Sequence, residues 1–480
     1  MNRTRFSVIR FAIICLVLLI TPSALALAQE SQPDRPYYVV KEGDSLWSIA
    51  AHFGLSLEAL IEANGITDPS QLTIGSQIFI PNLEGVKGEL TTLRINFGDS
   101  LQGTSRRYRV PIQTLAQLNH IISPSELYVG YYLVVPVSDD NAVKTKRSSL
   151  APGLSLFELA VSQGINPWQY VLENDLAGVW EAIPSEILHI HSTDISEETE
   201  ANPPNALPEP IKEIGVSPTP FVQGKTSVIH LSVEEDIELS GLLTDKTLNF
   251  FPDESGQMVS LQGIHAMTEP GVYTMVISGT LPTSNPTERQ SFSFSQTVLI
   301  SLGGYSIDPV LIVSPETIDP AITKPEDAQW FALVDTYTPE KMWQGIFESP
   351  ASDPYKECWP SLFGNRRSYN GSPYSYFHSG LDFCGGVGTE IHAPAAGKVV
   401  FSGPLTVRGN ATMVDHGWGI YSGYMHQSEI LVEIGDLIET GQVIGLVGGS
   451  GRVTGPHLHW EIFAGGVQVD PMDWLQKEFP

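Results

Sequence analysis

Positive charge is scarce in this chain. Its 480 residues hold 26 Lys and Arg against 54 Asp and Glu, a formal net charge of −28. Such a surface does not favour nucleic acid. It suits a soluble extracytoplasmic protein and says nothing about fold. Several catalytic signatures are missing too. There is no HExxH, no phosphate loop and no G-x-S-x-G. The run GGSGRVTG (448–455) is glycine-rich but has the wrong spacing for a dinucleotide. Cysteine is rare, with only Cys15, Cys358 and Cys384. At this length the chain must hold several domains.

The first 28 residues read as a secretory signal. Arg3, Arg5 and Arg10 make a basic start, FAIICLVLLI is a short apolar core, and ALALAQ offers small residues for cleavage after Ala28. The apolar run stops at Thr21–Pro22, short of the ~20 residues a spanning helix needs. No stable membrane span is expected after cleavage, and Ile14 before Cys15 argues against a lipid-modified cysteine. The expected location is secreted or cell-wall associated. Removing the three signal arginines takes the net charge of −28 to −31.

The next stretch repeats with a fixed period. Gly43, Asp44, Ser45 and Leu46 recur 55 residues on as Gly98, Asp99, Ser100 and Leu101. Asn64 recurs as Asn119, and Pro81 as Pro136. A further step of 55 gives Gly153, Ser155, Leu156 and Asn174 in a diverged third unit, where Leu154 replaces the Asp. Each unit reads as a strand, a Gly-Asp-Ser turn whose Asp or Ser can cap a helix, a second helix and a closing strand. The β-α-α-β units span 37–82, 91–137 and 148–192.

The runs VKEGDSLWSIAAHFGLSLEALIEANGI and LTIGSQIFIPN resemble the lysin-motif (LysM) family. The resemblance implies binding of N-acetylglucosamine-containing glycans of peptidoglycan or chitin. The sugar groove would lie between the Gly43–Leu46 turn and the loop 66–73. In the second unit it would use Gly98, Asp99, Ser100 and Leu101. The third unit keeps the pattern less well. Its closing strand ILHIHS holds His189 and His191, read as a solvated strand face and not a metal site.

An acidic, proline-rich stretch over 193–220 reads as an extended linker. From 221 to 315, short β-rich runs alternate with turn residues, which predicts an immunoglobulin-like sandwich. His230 and His265 are expected to be plain strand residues, and the domain a spacer. A connecting segment would cover 316–350.

Glycine and aromatic residues dominate from about 351 to 480. His378 is followed four residues later by Asp382, and Gly380 between them argues for a turn or strand. His457 and His459 share one face if GPHLHWEIF is a strand. His426 ends another β-like run. A catalytic zinc prefers three protein ligands and an open position. His378, Asp382 and one histidine of the pair could supply them, leaving an imidazole to move a proton.

In order, HSGLD, YMHQS and GRVTGPHLHWEIF, with APAAGKVVFSG and GDLIETGQVIG between them, resemble the lysostaphin-type (LytM) zinc endopeptidases. That family cuts peptides in peptidoglycan stems or cross-bridges and folds as a small antiparallel β domain with a groove. The resemblance implies that His378, Asp382 and His459 hold Zn2+, while His426 and His457 line the groove and act in catalysis. A degenerate, non-catalytic wall-binding protein or hydrolase activator is the alternative on this scaffold. His416 and His392 are expected to be structural. Tyr424–Met425 before His426 and CGG after Asp382 are departures. Cys384 has three readings: a disulfide to Cys358, an inert buried thiol, or a thiolate near the metal.

Overall fold

The computed structural model describes residues 35–68, 72–83, 85–137, 145–150, 154–182, 187–191, 207–208, 211–233, 237–281 and 290–480. The expected signal segment 1–28, Gly153 and most of 193–210 lie outside the described residues. The chain divides into two units, 1–91 with 134–142, and 92–133 with 143–480.

The first unit has a four-stranded sheet in the order Gln77–Phe79, Pro36–Val39, Gly88–Arg94, Tyr132–Val137. Between its first two strands in sequence lie helices Leu46–His52 and Leu57–Asn64. Leu46, Ile49, Ala50 and Leu60 are buried at helical spacing. Ser45 is the cap, its Oγ accepting the Ser48 N–H at 3.0 Å. Asp44 instead ties the turn together, accepting from the Lys41 N–H at 2.7 Å and the Tyr38 hydroxyl at 2.9 Å. Asn64 clamps the closing strand through the Phe79 N–H (2.7 Å) and carbonyl (2.8 Å). This is why Asn recurs with the period: Asn174 makes the same pair with His189, both at 2.7 Å.

In the second unit, helices Leu101–Tyr108 and Ile112–Leu118 belong to the second repeat. The third repeat pairs Thr145–Ser149 with Ile187–His191 around helices Leu156–Ser162 and Pro167–Glu173. His189 departs from expectation. It is buried, not solvated, because the Asn174 clamp draws its strand against the core of Leu159, Tyr170 and Leu188.

The expected linker also ends early. Ile211–Ser217 is a strand paired antiparallel with Thr226–Val233. Prolines at 208, 210, 218 and 220 bracket it without entering it, and their density hid it. Two sheets follow. One runs Phe251–Pro252, Met258–Gly263, Thr226–Val233, Ile211–Ser217, and the other Lys246–Asn249, Glu238–Leu243, Gly271–Leu281, Gln290–Ser301, Phe221–Val222. Ile229 and Leu231 of the first meet Leu243, Met275, Ile277 and Ile300 of the second in one core.

This two-sheet domain is no loose spacer. Phe251, Val259 and Leu261 share a core with the C-terminal domain, against Trp418, Ile462 and Trp474. Lys225 pairs with Asp470 at 2.8 Å and Asp473 at 3.1 Å. The Trp474 indole donates to Thr226 Oγ1 at 3.0 Å.

The segment 316–350 is likewise more than a connector. It holds helix Pro320–Leu333, whose Trp330 is fully buried. Trp343 and Phe347 enter the C-terminal core. Burial of these aromatics outweighs the poor helix propensity of a segment with Pro325 inside it.

The C-terminal sheet is antiparallel. Its main path runs Leu381–Phe383, Leu458–Ala464, Ile420–Ile430, Gly409–Gly417, Gly397–Leu405, Leu437–Ile438. Val443–Val447 joins Ile420–Ile430, and Glu390–His392 joins Val443–Val447.

Candidate active site

Strand register assembles the site. Asp382 pairs with His459 on one side, and Met425 pairs with His459 on the other. Residues opposite each other in a sheet share a face. His426, one step after Met425, would therefore face away. It adopts φ +61 beside a register shift, and that break in the alternation turns its ring back towards His457, 5.0 Å away. Gly380 permits the approach of the HSGLD turn. A Cβ there would meet the Trp460 carbonyl at 2.3 Å and the His459 ring at 2.8 Å.

Three atoms converge. His378 Nε2 lies 3.0 Å from Asp382 Oδ1, His459 Nδ1 lies 2.8 Å from the same oxygen, and the two nitrogens are 3.0 Å apart. The Leu362 carbonyl holds the His378 Nδ1 at 2.8 Å. A carbonyl only accepts, so that nitrogen carries the proton and Nε2 presents a lone pair. Glu461 Oε1, 3.4 Å from His459 Nε2, sets the opposite tautomer and leaves Nδ1 inward. Three ligand atoms this close could hold a cation among them. Among the described residues, this is the single His/Cys/Asp/Glu cluster that could hold a metal ion.

Burial opposes charge on Asp382, but the His378 and His459 imidazoles outweigh it and hold its pKa well below the ordinary value. Burial also opposes charge on His459, yet Asp382 and Glu461 together raise its pKa. His378 goes the other way. Burial lowers it, and Arg367 adds to that against the pull of Asp382.

His426 and His457 flank this triangle. His426 Nδ1 donates to the Ser450 carbonyl and His457 Nδ1 to the Gly455 carbonyl, each at 2.8 Å. Each Nε2 is then an available base. The His457 Nε2 stands 3.6 Å from Asp382 Oδ1. Burial, then the neighbouring His459 and His457, push the His426 pKa well below its usual value, so it stays neutral. All five residues except His378 line one groove of about 580 Å3.

Several supports escape sequence reading. Arg367 spans Asp308 (3.2 Å) and Asp382 (3.7 Å), and donates to Ser361 Oγ at 2.8 Å. Glu461 receives Trp330 Nε1 at 3.0 Å and Gln468 Nε2 at 2.8 Å. Only Glu461 had a usable signal: it continues the i, i+2 series of His457 and His459. Cys358 and Cys384 form a disulfide with Cα atoms 5.4 Å apart. Beside it, the Asp382 N–H donates to the Ser361 carbonyl at 3.0 Å. Cys384 is thus no thiolate near the cluster. His416 is buried between the Ala396 carbonyl and Ser422 Oγ, both at 2.7 Å. His392 bonds the Gly441 carbonyl at 3.1 Å, and His265 packs edge-on to Phe377.

Against this geometry, the model for peptidase family M23 matches residues 376–471, and that for the LysM domain matches 38–81 and 94–136. The C-terminal domain belongs to peptidase family M23. Peptidoglycan DD-endopeptidase ShyA of Vibrio cholerae is 41% identical to the M23 region over 95 residues, 20% of this chain and 22% of that protein. Lysostaphin of Staphylococcus staphylolyticus is 33% identical over 123 residues, 23% of this chain and 26% of lysostaphin. The chain thus spans about a quarter of these relatives' length. A zinc containing peptidase from Vibrio cholerae is similar in structure at 13% identity and a TM-score of 0.28, covering 92% of this chain and 99% of that one.

The LysM turns of the two matched domains share one conformation, with Gly43 at φ +88 and Gly98 at φ +87. Leu46 and Leu101 are buried core side chains, so only their backbones could meet a sugar. The surroundings differ. Near the first turn, Trp47 is 69% and Ile74 65% exposed. At the second, Gln296 of the two-sheet domain accepts the Gly98 N–H at 3.1 Å, and the Val129 N–H donates to the Thr297 carbonyl at 2.9 Å. Phe97 and Val129 join that domain's core.

Proposed function

We propose that this protein is a secreted, zinc-dependent endopeptidase that hydrolyses peptide bonds in peptidoglycan stems or cross-bridges. The observation that carries the reading is the triangle of acceptor atoms on His378, Asp382 and His459, with two imidazoles beside it in a groove. Two neutral imidazole nitrogens and one carboxylate oxygen fit zinc, which favours such donors. When bound there, zinc would supply Lewis acidity at neutral pH. The Leu362 carbonyl, Arg367 and Glu461 fix the ring and carboxylate orientations that hold it. A His457 or His426 Nε2 takes the proton of the attacking water and returns it to the leaving nitrogen. Once protonated, the imidazole that takes this proton can stabilise the oxyanion.

The LysM domains would hold the enzyme at its polymer, where even weak binding raises the local concentration. Glycan binding falls to the first LysM turn, Gly43, Asp44, Ser45 and Leu46. The turn Gly98, Asp99, Ser100 and Leu101 is engaged by the two-sheet domain. That domain we read as an immunoglobulin-like sandwich. With Phe221–Val222 and Lys246–Asn249 set aside and the other seven strands lettered A to G in chain order, one sheet holds A, B, E and D and the other C, F and G, which supports the reading.

The test is digestion of purified peptidoglycan with and without chelator, read by mass spectrometry of released muropeptides. Chelator-sensitive release of new amino termini is expected, with about one zinc per chain. Digestion that persists in metal-free protein would refute it.

A further inference from the structure

Three guanidinium groups line the groove: Arg367, Arg408 and Arg452. Two are neutralised. Arg367 lies between Asp308 and Asp382, and Arg408 between Glu326 (3.1 Å) and Asp327 (2.9 Å). Among the described residues, no carboxylate stands against Arg452. The groove's acids are engaged elsewhere: Asp308 by Arg367 and Asn365, Asp327 by Arg408, Asp382 by the histidines, Glu461 by Trp330 and Gln468.

Arg452 is nevertheless held in place. Its backbone N–H donates to the Val407 carbonyl at 2.8 Å, its Nη1 to the Thr317 carbonyl at 3.1 Å, and its guanidinium lies over the Tyr369 ring at 4.4 Å. A fixed, half-buried cation with donors to spare suits planar recognition of a carboxylate. It sits five residues before His457, on the loop leading into the histidine strand.

We propose that Arg452 is a specificity-determining residue that binds a carboxylate carried by the peptide near the bond to be cut. This rests on the endopeptidase reading above. The carboxylate is either a chain terminus or the side chain of a diacid residue.

The test uses full-length protein and synthetic cross-linked stem-peptide dimers in three forms: untreated, with only the terminal carboxylate amidated, or with only the side-chain carboxylate amidated. Wild type should lose roughly 10- to 100-fold in kcat/KM, mainly through KM, on one amidated form, the range of a charge-assisted hydrogen bond. Which form suffers identifies the source. R452Q should lose the same factor on the untreated dimer and no longer tell the forms apart. R452K, which keeps charge without the fork, should fall between. If wild type cleaves all forms alike, or R452Q slows all of them equally, Arg452 merely clamps the Thr317 turn and the proposal fails.

Equilibrium binding of the same dimers to His457→Ala separates the two readings. A preference for the untreated dimer there, without cleavage by wild type, would sink the endopeptidase and keep the anion site. Equal binding of all forms would sink the site. Melting temperature and zinc content exclude misfolding of the variants.

Discussion

His457 and His459 sit two residues apart on one strand, yet the structure gives them unlike surroundings. His459 is turned by Glu461 so that Nδ1 faces Asp382, whereas His457 is held by the Gly455 carbonyl with Nε2 available. His459→Ala should therefore abolish both metal content and peptide release. His457→Ala should keep the metal and lose about 10²–10⁴ in turnover, the usual worth of a general base. Metal analysis beside muropeptide release distinguishes them, and metal loss in His457→Ala would reverse the assignment. His416 gives a pH prediction. Burial pushes its pKa from 6.5 down to about 4. The unfolded chain then binds the extra proton between those values, so its stabilising effect is complete above 6.5 and lost as pH falls towards 4. His416→Gln should flatten the acid limb of a stability–pH curve over that window, and an unchanged slope would contradict this. The histidines and Asp382 were legible because they lie in short motifs with fixed spacing. Arg367, Ser361 and Trp330 were not, because each reaches the site from another segment and carries no local pattern.

Among elements, the three repeats were readable because the capping Ser and the clamping Asn recur every 55 residues. Strand Ile211–Ser217 and helix Pro320–Leu333 were not, since flanking or internal prolines argue against regular structure and only tertiary packing overrides them. The segment 358–361 lies along the Asp382 strand and is bolted to it by the disulfide. The bridge spans 26 residues, for which chain entropy predicts about 3.5 kcal/mol. Cys384→Ser should lower denaturant stability by up to that amount, and an unchanged midpoint would show that the bridge adds nothing. The repeats themselves should bind unequally. Titration with N-acetylglucosamine oligomers should show one site, lost in Asp44→Leu and retained in Asp99→Leu. Two sites of similar affinity would mean that Gln296 gives way.

For the second unit as a whole, the sandwich and the M23 domain should unfold together. Their shared core, the Lys225 pairs and the Trp474–Thr226 bond leave no independent seam. Trp474→Ala should cost about 3–5 kcal/mol, as large aromatic deletions do. It should lower amide-exchange protection in both domains at once. Loss confined to the M23 domain would show that they fold separately. This coupling was invisible in the sequence, where each domain shows its own periodicity and nothing marks which faces meet.

That seam has a mechanical consequence. Gln262 of the sandwich donates to the Gly465 carbonyl at 3.3 Å, directly beyond the strand that carries His459, and the Asp470 N–H donates to the Gly224 carbonyl at 2.7 Å. Force applied to the sandwich is therefore carried straight into the sheet beneath the groove. The sandwich is a bracket and not a hinge: it transmits load and orientation, and the groove turns when it turns.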